Sequence, residues 1–174
     1  EIMTHERGHI DELSTEEKND LFRLIGMGGL KYYLLKVDPK KRMMFNPEES
    51  IELNGNTGPF IQYAHARIKS LLRKAEGIGA LTITDVLPEE KEIIKHLVEF
   101  PNVVNDAAKN YSPALIANYS FELVKLYNHF YQAVPILIEE DQDLKNMRLV
   151  LSENVAKVIH LAMEMLGIDV PERM

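Results

Sequence analysis

Apolar side chains recur at spacings of three and four residues along most of the 174-residue chain, as they do in amphipathic helices. The clearest example covers residues 59–76. Six apolar side chains there share one sector of about 100° on a helical wheel: Ile61, Ala64, Ile68, Leu71, Leu72 and Ala75. No segment keeps the alternation of apolar and polar residues that is typical of a strand. The pattern predicts an all-α fold, a helical bundle of about six helices.

The first predicted helix begins at a capping box, because Ser14 is followed three residues later by Glu17. Its apolar pattern continues past three interior glycines, Gly26, Gly28 and Gly29. Each glycine costs a helix about 1 kcal/mol relative to alanine, which indicates either close backbone packing or a break. A phosphate-binding loop is a further alternative, although no strand precedes the glycines and no Lys-Ser/Thr pair follows them.

Proline and glycine indicate most of the remaining helix boundaries. A proline suited to the first turn of a helix stands at three positions: Pro59, Pro88 and Pro113. Gly167 is suited to the position just after the last helix. We expect the Phe100-Pro101 pair to break the helix that begins at Pro88, and we expect residues 37–58 to be irregular.

A polar stripe follows the predicted helix 59–76 on the side away from its apolar sector. Its members are Tyr63, Arg67, Ser70 and Lys74. A tyrosine ring beside cations suits single-stranded RNA, because unpaired bases stack on aromatic rings and phosphates bind Lys or Arg. The alternative is an ordinary solvated face of an amphipathic helix.

A second group of aromatic residues lies shortly before Pro135, near the end of the predicted helix that follows Pro113. The group consists of Tyr127, Asn128, His129, Phe130 and Tyr131. Three aromatic and two polar side chains at a helix end can form a pocket for a base. Aromatic residues at helical spacing are more often core residues, so the pattern leaves both alternatives open.

Composition excludes several kinds of site. The chain has no cysteine, which excludes disulfides, cysteine zinc sites and thiol nucleophiles. Its net charge of −7 argues against a general nucleic-acid binder. However, residues 31–74 carry nine basic and four acidic side chains, a net +5, which leaves −12 elsewhere. Exposed charges are screened beyond about 8–10 Å at physiological salt, so this zone can attract phosphate locally.

The sequence lacks the common signatures of catalysis. It contains no Gly-x-Ser-x-Gly, no His-Glu-x-x-His and no glycine-rich loop after a strand. Only His5 and His9 have the spacing of two metal ligands on one helix, and no third ligand accompanies them. No apolar run approaches the length of about 18 residues that a membrane span needs. The residues therefore favour a binding module over an enzyme.

Three stretches resemble one family, the class I arginyl-tRNA synthetases, in the same order and spacing. They are Ile-Gly-Met-Gly-Gly-Leu-Lys-Tyr at 25–32, Asn-Gly-Asn-Thr-Gly-Pro-Phe-Ile-Gln-Tyr-Ala-His-Ala-Arg at 54–67, and Leu-Gly-Ile-Asp-Val-Pro-Glu-Arg-Met at 166–174. The resemblance covers residues 17–174. It implies that Met174 is a true C-terminus and that Glu1 marks a cut within a longer synthetase.

The resemblance implies two parts. Residues 1–58 would be the helical tail and connector of a catalytic domain, and residues 59–174 an α-helical anticodon-binding domain. That domain type is named for an Asp-Ala-Leu-Arg motif, which reads Asn146-Met147-Arg148-Leu149 here and is expected to be structural. The whole enzymes use ATP and Mg²⁺ to attach arginine to tRNA. Their two ATP-handling signatures are missing from this sequence, so neither aminoacylation activity nor a cofactor is expected of it.

The resemblance also implies RNA contacts at Tyr63, Arg67, Tyr131, Pro135 and Met174. Some relatives have Trp where Pro135 stands, but this chain has no Trp, so stacking would be left to Tyr63 or Tyr131. The RNA-binding residues expected from stripe and resemblance together are Tyr63, Arg67, Ser70, Lys74, Tyr131, Pro135 and Met174. The expected partners are the anticodon stem-loop of tRNA(Arg) and the parent's catalytic domain, in the cytoplasm, with no DNA and no membrane.

A second interpretation treats the chain as a helical scaffold or interaction domain. Such a domain would dock on its own catalytic domain or on a protein partner, and it would bind RNA weakly by itself. An amphipathic bundle with solvated polar faces is compatible with either interpretation.

Overall fold

A computed structural model describes residues 14–75, 77–81 and 85–174, and His5 and His9 lie outside these ranges. The described residues form helices and no strand, so the prediction of an all-α fold is confirmed. The six helices are α1 (Thr15–Leu35), α2 (Pro47–Ser50), α3 (Gly58–Lys74), α4 (Pro88–Asn110), α5 (Ala114–Ala133) and α6 (Gln142–Met165).

Helix α1 is continuous through its three glycines, so the alternatives of a break and a phosphate loop are wrong, and close packing is confirmed at Gly28 and Gly29. The Ser14–Glu17 capping box begins it as predicted. A Cβ atom at Gly28 would overlap the side-chain amide of Gln62, and a Cβ atom at Gly58 would lie 2.6 Å from the Gly28 carbonyl oxygen. The missing side chains therefore let the backbones of α1 and α3 approach closely.

Helix α4 continues through Pro101, so the predicted break is wrong. Proline lacks the N–H that the helix would use and normally breaks its interior. Here Ile93, Phe100 and Ala107 are buried on both sides of the proline and all join the main core. Packing of this one continuous face, chiefly on α5, outweighs the local penalty.

The segment predicted to be irregular contains the short helix α2. The side chain of Asn46 accepts hydrogen bonds from the backbone N–H groups of Glu48 and Glu49, and Pro47 occupies the first turn. The described residues form six helices, the number that the sequence predicts. However, the two helices predicted on either side of Pro101 are the single helix α4, and the sequence does not predict α2. At the other end Gly167 follows α6 with φ +67°, as predicted.

The core is formed mainly by α3, α4, α5 and α6, and α1 adds Tyr32 to it. The apolar sector predicted for α3 supplies four of its buried residues: Ile61, Ala64, Ile68 and Leu71. Helix α1 is joined to α5 by Tyr32, whose hydroxyl donates a hydrogen bond to the Ala117 carbonyl at 2.8 Å. Burial raises the pKa of Tyr32 far above its ordinary value, so its hydroxyl remains a donor. None of the helices in the described part is long and apolar enough to cross a membrane.

We predict that Gly58→Ala lowers the free energy of unfolding by about 1–3 kcal/mol, because the new Cβ would overlap the backbone of Gly28. Gly26→Ala is the matched control. A Cβ atom there meets nothing within 4 Å, so this change should raise stability by about 1 kcal/mol. Urea unfolding followed by circular dichroism measures both, and a Gly58→Ala variant as stable as wild type would contradict the close approach of α1 and α3.

Candidate nucleic-acid interface

Arg67, in the middle of α3, lies between two side chains from the end of α5. Its Nη2 donates a hydrogen bond to Oδ1 of Asn128. Its guanidinium carbon lies 4.6 Å from the centre of the Tyr131 ring, close enough for a cation–π contact. The three half-buried side chains form what we call the Arg67 cluster: Arg67, Asn128 and Tyr131.

The Arg67 cluster combines a fixed cation with an aromatic surface. A guanidinium carries five N–H donors, and one of them is used by Asn128. The Nε of Arg67 is buried and has no partner among the described residues. An unpaired buried donor is costly. The contacts with Asn128 and Tyr131 therefore hold Arg67 in this orientation although its hydrogen bonding is incomplete.

The aromatic residues before Pro135 divide between core and surface. Tyr127 and Phe130 are fully buried, so the core alternative is right for both. Burial raises the pKa of Tyr127 to about 12, and its hydroxyl donates to Oγ of Ser152 at 3.1 Å. Tyr131 remains half-buried, with its ring 6.1 Å from that of Tyr127. Only Tyr131 of these rings therefore offers a surface beside Arg67.

The other members of the predicted stripe differ in exposure. Tyr63 and Ser70 are half-buried, and Lys74 is exposed near the end of α3. Arg67 turns toward α5 and is only partly open to solvent, so the stripe is not the wholly outward face that the helical wheel suggests. Lys74 has no ion-pair partner within the described ranges.

A second polar stripe on α3 holds the segment that follows α6. Gln62 donates to the Asp169 carbonyl at 2.8 Å, and the Nδ1–H of His65 donates to the Pro171 carbonyl at 2.9 Å.

Two cations further along α3 contact the same segment. Lys69 pairs with the Glu172 carboxylate at 3.0 Å, and Arg73 donates to the Glu172 carbonyl at 3.1 Å. Hydrogen bonding and charge from Lys69 lower the pKa of Glu172, and burial lowers that of His65. Lys69 is thus engaged in an internal ion pair, whereas Arg73 is exposed and donates only to a backbone carbonyl.

Met174 lies against α1 rather than against the Arg67 cluster. It packs on the small apolar cluster formed by Leu21 and Ile25. The structure therefore brings Arg67 and Tyr131 together, while the contacts of Met174 are with a different helix.

Pro135 is exposed just beyond α5, and its backbone carbonyl accepts a hydrogen bond from the buried Arg148. Nη1 of Arg148 donates to the Pro135 carbonyl at 2.8 Å and to Oε2 of Glu139 at 2.5 Å. Nε of Arg148 donates to Oε1 of Glu90, which is fully buried, at 2.9 Å. Hydrogen bonds from the Asp141 backbone and from Arg148 lower the pKa of Glu139. Arg148 therefore fixes the chain where α5 ends.

The site has the chemistry of a binding surface. No group of three or more His, Cys, Asp or Glu side chains among the described residues is placed to hold a metal ion. A stacking ring, an oriented guanidinium and an exposed lysine are the groups that single-stranded nucleic acid uses.

Comparison with known proteins identifies the family. The model of the DALR anticodon binding domain matches residues 61–174 of the chain. The chain belongs to the DALR anticodon-binding domain family. Arg148, whose side chain binds Glu90, Glu139 and the Pro135 carbonyl, is the third residue of the Asn-Met-Arg-Leu sequence at 146–149 of this DALR domain, and these buried contacts are structural.

Similar proteins carry the name arginine–tRNA ligase. The chain is 57% identical over 173 residues to the one from Flavobacterium psychrophilum, covering 99% of this chain and 29% of that protein. It is 51% identical over 178 residues to the one from Parabacteroides distasonis, covering 99% and 30%. The chain thus spans about 30% of the length of the curated relatives that it matches.

Two solved structures share the fold. Thermus thermophilus arginyl-tRNA synthetase matches with a TM-score of 0.91 and 30% identity, covering 99% of this chain and 30% of that one. Arginyl-tRNA synthetase from Plasmodium falciparum matches with a TM-score of 0.81 at 22% identity, covering 99% and 31%, and that likeness concerns the fold alone.

Asn128 belongs to the possible base pocket predicted before Pro135, but it is not among the RNA-binding residues expected from stripe and resemblance together. Its contact with Arg67 joins side chains 61 residues apart, which no local pattern reveals. The spacing of three residues between Asn128 and Tyr131 does predict that the two side chains share one face of the helix, which places Asn128 beside an expected RNA contact.

We predict that Arg148→Met lowers the free energy of unfolding by about 3–5 kcal/mol, because the Glu90 carboxylate would remain buried without its ion-pair partner. Glu90→Gln added to that variant should recover part of the loss, since the buried charge is then removed. Lys157→Met is the control, because its pair with Glu153 is exposed and is worth at most about 1 kcal/mol. Guanidinium unfolding compares the four proteins, and equal losses for Arg148→Met and Lys157→Met would show that the buried network is unimportant.

Proposed function

We propose that this DALR domain recognises the anticodon loop of tRNA(Arg) and thereby supports attachment of arginine to tRNA by a longer enzyme. The observation that carries the proposal is the Arg67 cluster, within a domain of an anticodon-binding family. Its relatives named arginine–tRNA ligase supply the amino acid and the class of RNA.

The physical basis is stacking combined with phosphate binding. An unpaired base stacks on an aromatic ring for about 1–3 kcal/mol, and the proposed rings are Tyr63 and Tyr131. Arg67 supplies donors for a base edge or phosphate beside the Tyr131 ring. The proposed RNA contacts, within the longer protein, are Tyr63, Arg67, Ser70, Lys74, Tyr131, Pro135 and Met174.

The remaining features of the proposal concern the longer protein. Residues 1–58 would belong to the end of its catalytic domain, residues 59–174 would form the anticodon-binding bundle, and the two would remain partners. ATP and Mg²⁺ would act at the catalytic domain, because the two ATP-handling signatures are missing here. The 174-residue chain would then have no aminoacylation activity of its own, and the parent would work in the cytoplasm.

Filter binding tests the proposal. We predict that the 174-residue chain binds an arginine-accepting tRNA transcript more tightly than the same transcript with a changed anticodon. Binding should weaken as salt rises, because phosphate contacts release counterions. Equal binding of both transcripts at low salt would refute anticodon recognition by this chain and favour the helical scaffold.

A contrast between two variants separates stacking from charge. We predict that Tyr63→Ala costs about 1–3 kcal/mol of binding to the cognate transcript. Lys74→Ala should weaken binding to every transcript alike and reduce the salt slope by about one unit. Lys157→Ala, on a different helix, is the control for loss of an exposed lysine. Unchanged affinity of Tyr63→Ala would rule out stacking on that ring.

A further inference from the structure

The orientation of the Asn128 side-chain amide is determined by its neighbour. A guanidinium has donors and no acceptor, so only the amide oxygen of Asn128 can face Arg67. The hydrogen bond from Nη2 of Arg67 to Oδ1 of Asn128 therefore assigns the two ends of the amide. The NH₂ group of Asn128 consequently points away from the guanidinium.

The Nδ2 atom of Asn128 has no acceptor among the described residues. The buried polar side-chain atoms without a partner in that part of the chain are Oε1 of Gln62 and Nε of Arg67, so Nδ2 is accessible rather than buried. The side chain is half-buried, which leaves this donor open to solvent. Beside it are the remaining Nη donors of Arg67 and, one turn along α5, the ring of Tyr131. The surface thus presents hydrogen-bond donors of two residues next to a stacking plane.

We propose that Asn128 is a further specificity-determining residue of this interface. Its Oδ1 holds the Arg67 guanidinium over Tyr131, and its Nδ2 donates a hydrogen bond to an acceptor on an unpaired base. The ligand class is a base edge that presents a carbonyl oxygen or an unprotonated ring nitrogen. This inference rests on the proposed function and adds to it a residue that reads the base.

Two substitutions separate the roles of the two amide atoms. Asn128→Asp keeps an oxygen for Arg67 but replaces the NH₂ donor with an acceptor. Asn128→Ala removes both. Gln132→Glu and Gln132→Ala are matched controls, because Gln132 is exposed on the same helix and the changes in charge and size are similar.

The measured quantity is the ratio of affinities for the cognate transcript and an anticodon-changed transcript, with thermal unfolding as a check of folding. We expect Asn128→Asp to reduce this ratio by about 10-fold, because it loses only the neutral hydrogen bond from Nδ2 to the base. We expect Asn128→Ala to reduce it by about 10- to 100-fold, because it also loses the stronger hydrogen bond to the charged Arg67. Both Gln132 controls should keep the wild-type ratio.

The outcomes distinguish this inference from the proposed function. A wild-type chain that does not discriminate between the transcripts would refute the function itself. A discriminating wild type together with an unchanged ratio in Asn128→Asp would overturn the donor role, and an unchanged ratio in Asn128→Ala would overturn both roles. Asn128→Asp retains the contact with Arg67, so it serves as the test even where Asn128→Ala fails to fold.

Discussion

The hydrogen bonds and ion pairs of the buried Arg148 guanidinium are the interactions on which the geometry of the candidate interface depends. The guanidinium joins α6 to the first turn of α4 through Glu90 and to the end of α5 through the Pro135 carbonyl. Removing an arginine from water is costly, and only several well-placed acceptors offset that cost. Because Arg148 and these acceptors come from three parts of the chain, the network forms only when the helices are correctly packed together. The network therefore fixes the chain at Pro135, just beyond the end of α5 and four residues after Tyr131.

Helix α3 carries polar side chains on two of its sides, and each side contacts a different part of the chain. The residues on one side, at spacings of three and four, hold the segment that follows α6: Gln62, His65, Lys69 and Arg73. Another side carries Arg67 toward Asn128 and Tyr131. A shift of α3 would disturb both surfaces together. Its close contact with α1 at Gly28 and Gly58 resists such a shift, because no side chain separates the backbones.

Features determined by neighbours in sequence were predictable, and features determined by distant partners were not. The capping box at Ser14 and the left-handed Gly167 depend on local hydrogen bonds and backbone conformation. Continuity of α4 through Pro101 depends on packing against α5, which no local rule includes. In the candidate site, the helical wheel placed Arg67 and Tyr63 on one face of α3. It could not show that Arg67 meets Asn128, because that contact requires the fold.

The distribution of charge also has to be interpreted through the fold. The net charge of −7 describes the whole chain, and the +5 of residues 31–74 describes a segment. Within that segment Nζ of Lys36 lies 3.7 Å from Oε1 of Glu49, and Lys69 pairs with the Glu172 carboxylate, so these two cations are partly neutralised. Arg67 instead has a neutral amide and an aromatic ring as neighbours, which orient its charge without cancelling it. An acidic protein can therefore present a local cation to RNA, since screening confines the influence of the distant carboxylates to about 8–10 Å.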